Sequence, residues 1–97
     1  MTTIEELLNK FKDSASDRTL AYGIEISAKV TYMPTEILEG YTILDDGTRT
    51  LEAVPAKRKV FEILQSKFNK EKIFRFKGRL DKTEFGNIAF AIEEIIE

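Results

Sequence analysis

Cysteine, histidine and tryptophan are missing from this sequence of 97 residues. Without cysteine there are no disulfides or thiolate metal ligands, and without histidine there is no imidazole ligand and no Cys–His or Ser–His nucleophile pair. The side chains left for chemistry are carboxylates, lysines, tyrosines and hydroxyls. We therefore expect a protein that is not an enzyme and that holds no metal or other cofactor.

Long hydrophobic runs are also absent. A membrane-spanning helix needs about 20 predominantly apolar residues in succession, and no stretch of the chain approaches that length. The N-terminus carries Glu5 and Glu6 where a secretory signal would be basic. We expect no membrane contact and a cytoplasmic location. Hydrophobic residues make up 42% and charged residues 33% of the chain, which indicates one folded domain at this length.

Residues 3–13 have the periodicity of an amphipathic helix. Thr3 followed by Glu6 matches a capping box. The apolar residues that recur at helical spacing are Ile4, Leu7, Leu8 and Phe11. The residues that follow, up to Thr19, are turn and cap formers and predict a connector. We interpret residues 1–19 as an N-terminal helix with its connector and residues 20–97 as the main body. The helix can pack on this body or on a partner protein.

From Leu20 the hydrophobic period changes to two, which predicts a long, half-buried strand. The residues assigned to its apolar face are Leu20, Tyr22, Ile24, Ile26, Ala28, Val30 and Tyr32. Gly23 is a place where this strand can bend or bulge, because glycine has no Cβ. The next segment, residues 33–40, is predicted to be a loop that carries the apolar pair Ile37 and Leu38.

A β-hairpin is predicted to follow this loop. Residues 41–44 and 50–54 form its strands, and the pair Asp46-Gly47 supplies the positive φ angles that such a turn requires. The turn also accounts for the adjacent carboxylates of Asp45 and Asp46, which therefore give no reason to infer catalysis.

The rest of the chain predicts one helix and two more strands. Pro55 ends the third strand because it has no N–H to donate. A helix over residues 57–69 has an apolar stripe formed by Val60, Phe61, Leu64 and Phe68. In the fourth strand Gly78 permits close packing, and the core residues are Phe74, Phe76 and Leu80. After a turn over residues 81–86, the fifth strand has the apolar residues Ile88, Phe90 and Ile92.

Five strands with one internal helix between the third and fourth are the element order of the OB-fold, a Greek-key barrel. Residues 44–52 resemble the second hairpin of OB domains, with a leucine, an acidic pair, a glycine and threonine turn and an aliphatic residue. Residues 72–80 resemble their fourth strand, in which alternating apolar residues lead into a glycine, a charged residue and an aliphatic residue.

Over residues 20–96 the chain is similar to the OB domains of bacterial replicative DNA polymerase alpha subunits, class II aminoacyl-tRNA synthetases and replication protein A relatives. The resemblance implies an all-β protein, a five-stranded OB-fold Greek-key barrel with an N-terminal helix and one helix between strands 3 and 4. It also implies binding of single-stranded DNA or RNA.

Basic residues are concentrated in one part of the chain. Residues 56–82 contain ten lysines and arginines against three acidic residues, although the net charge of the protein is −2. A local basic surface still attracts phosphates, because charges act over only about 8 to 10 Å at ordinary salt. Alternatively, the helix charges are solvated and the strand charges pair with Glu25 or Glu93. The predicted nucleic-acid contacts in this part are Lys57, Arg58, Arg75, Lys77 and Arg79.

Three further residues complete the predicted site. Because tryptophan is absent, Tyr41 is the candidate for base stacking from the second hairpin, and Arg49 belongs to the same hairpin. Phe85 lies beside Gly86 in the turn between the last two strands, where OB-folds frequently hold ligand. It can stack on a base there, or it can fold back over the mouth of the barrel.

Two functions stay open at this point. The first is binding of single-stranded nucleic acid within a larger replication, repair or translation assembly, because one small barrel without a strong basic bias binds weakly alone. The second is a protein-interaction subunit of a multi-subunit complex without direct nucleic-acid contact. The net charge of −2 and the lack of tryptophan favour the second. Its contacts would be the N-terminal helix or the pair Ile37 and Leu38.

Overall fold

A computed structural model describes residues 2–96 as two helices and five strands. In chain order they are α1 (Ile4–Phe11), β1 (Arg18–Tyr32), β2 (Thr42–Asp45), β3 (Thr50–Pro55), α2 (Arg58–Lys67), β4 (Ile73–Lys82) and β5 (Ile88–Ile96). The strands close into a barrel in the order β1-β2-β3-β5-β4. Only the β3–β5 pair is parallel within the described residues. The predicted five-stranded barrel, with its N-terminal helix and its helix between β3 and β4, is confirmed, and the architecture is OB-like.

Strand β1 departs from the predicted alternation. It begins at Arg18, so the expected boundary after residue 19 falls inside the strand. Tyr22 and Tyr32 are 76% and 55% exposed, and their assignment to the apolar face is wrong. The pairing register shifts at three places: between Thr19 and Ala21, between Ala21 and Ile24, and between Val30 and Tyr32. Each shift inserts a residue and so changes the face on which the next side chain lies.

The bulge expected at Gly23 is confirmed. Gly23 lies within the second of these register shifts and has a φ of +65°, a conformation that is common for glycine and costly for other residues. The bulge increases the twist of β1 locally. A strand of 15 residues can therefore bend enough to pair first with β4 and then with β2.

Strands β4 and β5 form the centre of the core. Phe74, Phe76 and Leu80 of β4 are buried, as predicted. A Cβ built on Gly78 would overlap the carbonyl oxygen of Ala91 on β5, so the predicted close packing at Gly78 is also confirmed. Residues 89–92 of β5 are all buried. Phe90 lies in the core, and the small alanine side chains at 89 and 91, which lie on the opposite face of the strand, are buried as well.

Helix α2 contributes Val60, Phe61 and Leu64 to the interior. It begins at Arg58 and ends at Lys67, which is shorter than the predicted span of residues 57–69. Phe68 has left the helical conformation, with φ −55° and ψ 125°, and is 37% exposed. Its assignment to the apolar stripe is therefore wrong.

Helix α1 packs on its own barrel. Ile4 and Leu7 lie in the same hydrophobic core as the strands, and the capping box between Thr3 and Glu6 is confirmed. Both ends of α1 are held by the barrel. At the N-terminal end, the backbone N–H of Ile4 donates to Asp46 Oδ2 at 2.8 Å. No helix within residues 2–96 is long and apolar enough to cross a bilayer.

Candidate nucleic-acid interface

The predicted site residues fall in five places on the barrel. Arg75, Lys77 and Arg79 lie on the outer face of β4, and Lys57 and Arg58 lie at the start of α2. Tyr41 directly precedes β2, in the loop between β1 and β2. The remaining two, Arg49 and Phe85, lie in the β2–β3 turn and the β4–β5 turn.

Carboxylates accompany the basic row on β4. Arg75 Nη2 forms an ion pair with Glu25 Oε1 at 3.1 Å, and Arg79 Nε forms one with Asp81 Oδ2 at 3.1 Å. Lys77 has Glu25 and an acidic residue of β5, Glu94, as its cross-strand partners. The alternative to nucleic-acid contact, in which basic residues of this strand pair with Glu25, is therefore confirmed for Arg75. Exposed ion pairs add little stability, but they reduce the positive charge that this face offers to phosphates.

The start of α2 is basic and open to solvent. Lys57 is the N-cap residue and makes no side-chain capping hydrogen bond, and the first turn contains no acidic residue. Arg58 and Lys59 are exposed. Cations in a first helical turn oppose the helix dipole, although acidic residues are close: Glu93 and Glu94 line the same shallow depression as Lys57 and Lys59. The surface offers solvated charges and no enclosed site.

A groove lies between α1 and the barrel, with a volume of about 440 Å³. We call it the α1 groove. Its walls come from α1 and its C-cap, from the β2–β3 hairpin, from the end of β4 and from the β4–β5 turn. The residues that line it are Leu8, Asn9, Lys12, Arg49, Thr50, Leu51, Glu52, Lys82, Gly86, Asn87 and Ile88. Three of these are cationic and one is acidic, so the lining carries an excess of positive charge.

Arg49 reaches the α1 groove because of the turn that precedes it. The carboxylate of Asp45 accepts a hydrogen bond from the N–H of Gly47 at 2.8 Å, and Asp46 Oδ1 accepts one from the N–H of Thr48 at 2.9 Å. These bonds fix the turn between β2 and β3. Arg49 follows directly, and its exposed side chain lines the groove.

The pKa of the Asp46 carboxyl lies below its ordinary value of 3.8. Burial is the largest single influence and acts in the opposite direction, because it penalises the charged form. Hydrogen bonds from the Thr48 hydroxyl and from the backbone N–H groups of Ile4, Thr48 and Arg49 together outweigh it. The ionised carboxylate therefore holds the hairpin turn and the first turn of α1 together.

Lys82 is the residue of the groove that sequence reasoning missed. It is only 8% exposed, and its Nζ donates to the carbonyl oxygens of Lys12 at 2.9 Å and Ser14 at 2.8 Å. These bonds close the C-terminal end of α1. The alternation of β4 could have identified Lys82 from the sequence. Phe74, Phe76 and Leu80 face inward, and Lys82 continues the same alternation. Lys12, the C-cap of α1, was also missed, because it lies outside the apolar stripe of the predicted first helix and carried no functional pattern.

Phe85 projects into solvent. It is 83% exposed, and the tight turn that carries it is closed by hydrogen bonds from the N–H of Gly86 to the carbonyl of Thr83 and from the N–H of Thr83 to the carbonyl of Asn87. The side chain does not fold back over the barrel mouth. Gly86 and Asn87, the next two residues, line the α1 groove, so Phe85 stands beside it.

The loop between β1 and β2 is a separate surface. Leu38 is 93% exposed, whereas Ile37 and Tyr41 are half-buried. The loop is tied to α2 by a hydrogen bond from Gln65 Nε2 to the carbonyl of Thr35 at 3.1 Å. Tyr41 does not line the α1 groove. The structure thus brings Arg49 and the turn of Phe85 together and leaves the other predicted residues apart from them.

No protein-family model matches the chain, and no curated protein matches its sequence. The OB-like assignment therefore rests on the barrel itself, on its strand order and on its helix between β3 and β4.

Proposed function

We propose that this protein is a non-catalytic OB-like module that binds single-stranded nucleic acid at the α1 groove. One observation carries the proposal: three cationic side chains, those of Lys12, Arg49 and Lys82, line a single groove beside the exposed ring of Phe85. This combination of positive charge and a free aromatic ring is what nonspecific recognition of single strands requires.

The position of the groove supports the proposal. OB-folds that bind oligonucleotides use the face of strands 2 and 3 together with the loops between strands 1 and 2 and between strands 4 and 5. The α1 groove includes residues 49–52 of the β2–β3 hairpin and residues 86–88 at the β4–β5 turn. Helix α1 adds a third wall, which would hold the strand close to the hairpin.

The balance of charge favours modest affinity. The lining contributes Lys12, Arg49 and Lys82 against Glu52, and the protein as a whole has a net charge of −2. Phosphate contacts would position the strand, and stacking on Phe85 would give at most a mild sequence preference. A module of this strength fits a larger replication, repair or translation assembly, in which other subunits add contacts.

A fluorescence titration with labelled single-stranded 12-mers of DNA and of RNA tests this function. Log affinity should fall as log salt rises, and each phosphate that contacts the groove cations should add roughly 0.7 to the slope on a single strand. Arg49→Glu should weaken binding of every sequence. Lys70→Glu changes the net charge equally at an exposed residue outside the groove, and it should weaken binding much less. No binding at about 50 mM salt, where screening is weak, would exclude this function.

That last result would favour the second function, a protein-interaction module. The observation behind it is Leu38, which is 93% exposed in a loop that also carries the exposed acidic residues Glu36 and Glu39. A partner for this loop would be basic and would offer an apolar pocket. Leu38→Ser would then abolish the interaction, while it leaves nucleic-acid binding unchanged if the first function is correct.

A further inference from the structure

Lys82 carries a buried positive charge that forms no ion pair with a carboxylate of residues 2–96. Its side-chain Nζ hydrogen-bonds to two backbone carbonyls. Burial of an ammonium group without a counter-ion is costly. The two carbonyls offset part of this cost, and one of the three ammonium hydrogens is left without a protein acceptor. An anion in the α1 groove would supply a negative charge to balance the ammonium group of Lys82.

We propose that the part of the strand that enters the α1 groove is a terminal phosphate monoester. This inference rests on the proposed function and names the chemical group that the site takes. The lining residues Lys12, Arg49 and Lys82 exceed the single carboxylate of Glu52 by two charges. A phosphate monoester carries −1.5 to −2 charges near pH 7, whereas each internal phosphodiester of a strand carries one negative charge. The monoester is therefore the better electrostatic match.

The polar groups of the groove suit three terminal oxygens. Asn9 and Asn87 line the groove on opposite walls, one from α1 and the other from the β4–β5 turn, and their amides can donate hydrogen bonds. An internal phosphodiester has two of its oxygens bonded to sugars, so fewer of its oxygens are free to accept hydrogen bonds. A volume of about 440 Å³ lies in the usual range for a small-molecule site and suits one nucleotide, with its base directed toward Phe85.

Three forms of one single-stranded 6-mer test this inference: one phosphorylated at the 5′ end, one at the 3′ end and one with hydroxyl groups at both ends. One phosphorylated form should bind about tenfold more tightly than the unphosphorylated form, because the terminal phosphate adds a charge-assisted hydrogen bond to the groove. The advantage should shrink at pH 5, below the second phosphate pKa of about 6. Arg49→Ala should remove it, and Lys70→Ala should keep it. Both are exposed positions, so the variants should fold.

The outcomes separate this inference from the proposed function. Equal binding of all three forms would overturn the terminal phosphate and leave single-strand binding in place. If none of the forms binds, the proposed function fails as well. Adenosine 5′-monophosphate is the competitor that distinguishes a strand end from a free nucleotide. If it displaces the 6-mer at equal concentration, the ligand is a mononucleotide and the strand-end assignment is wrong; weaker competition supports it.

Discussion

Phe76 is the side chain on which the barrel core most depends. It is fully buried on β4, and its ring lies 5.7 Å from that of Phe74. Phe76→Ala should lower the free energy of unfolding by about 3 to 5 kcal/mol, as removal of a buried aromatic ring does, measured by urea denaturation. Phe85→Ala is the matched control because the same ring is 83% exposed there, and it should change stability by less than about 0.5 kcal/mol. A loss below about 1 kcal/mol for Phe76→Ala would contradict the assigned core.

Thr42 presents the opposite case, a buried polar group that weakens the fold. It is 0% exposed, and its Oγ1 has no hydrogen-bond partner within residues 2–96. Thr42→Val keeps the shape and removes the unsatisfied hydroxyl, so the free energy of unfolding should rise by about 1 kcal/mol or more.

The same substitution at Thr48 provides the control. The Thr48 hydroxyl donates to Asp46 Oδ1 at 2.6 Å and accepts from the N–H of Glu5 at 3.2 Å, so Thr48→Val should destabilise the protein. Thermal unfolding measured for both variants should move in opposite directions. A decrease in stability for both would mean that the hydroxyl of Thr42 has a partner, such as a buried water.

At the scale of elements, the contact between α1 and the β2–β3 turn depends on pH. The pKa of Asp46 is lowered from 3.8, so its ionisation stabilises the folded state at any pH above that value. This contribution is lost as pH falls through the lower, folded-state pKa. In urea denaturation, the difference in stability between the wild type and Asp46→Asn should be constant from about pH 5 to 7 and should shrink as the pH falls below 3.8. A difference that does not change with pH would show that the charge of Asp46 plays no part.

The elements themselves were largely predictable from local patterns. The capping box at Thr3 fixed the start of α1, and the Asp46-Gly47 turn fixed the β2–β3 hairpin, because both signals depend on short-range hydrogen bonds. The outward positions of Tyr22 and Tyr32 were not predictable from alternation. Bulges change the face of a strand without a strong sequence signal, and Gly23 marked only one of the three in β1.

Only part of the candidate site could be predicted from the sequence, because some of its residues come together only in the tertiary structure. Arg49 and Phe85 were found because each lies in a turn that has local signals. Lys12 was assigned to the end of the predicted first helix and Lys82 to the predicted turn over residues 81–86, and they meet only when α1 packs on the barrel. The predicted row of Arg75, Lys77 and Arg79 is real, but the acidic partners on neighbouring strands come from pairing distant in sequence.

At the scale of the whole molecule, charge is divided between surfaces. The β1–β2 loop, residues 33–41, contains two acidic residues and no basic one, whereas three cationic side chains and one carboxylate line the α1 groove. The β1–β2 loop, which carries Glu36 and Glu39, should therefore repel a strand that the α1 groove attracts. The two candidate functions consequently predict different contact surfaces on the same barrel, and they can be distinguished by mapping where a ligand binds.

Chemical-shift mapping with amide ¹H–¹⁵N spectra is the most direct test of the proposed groove. On titration with a single-stranded 6-mer at about 50 mM salt, the largest changes should appear at the backbone amides of residues 8–12, 49–52 and 82–88, which surround the groove. The amides of residues 36–39 should not move. Changes confined to residues 75–79 and their neighbours on β1 would place the ligand on the outer face of β4, and they would contradict the assignment of the α1 groove as the nucleic-acid site.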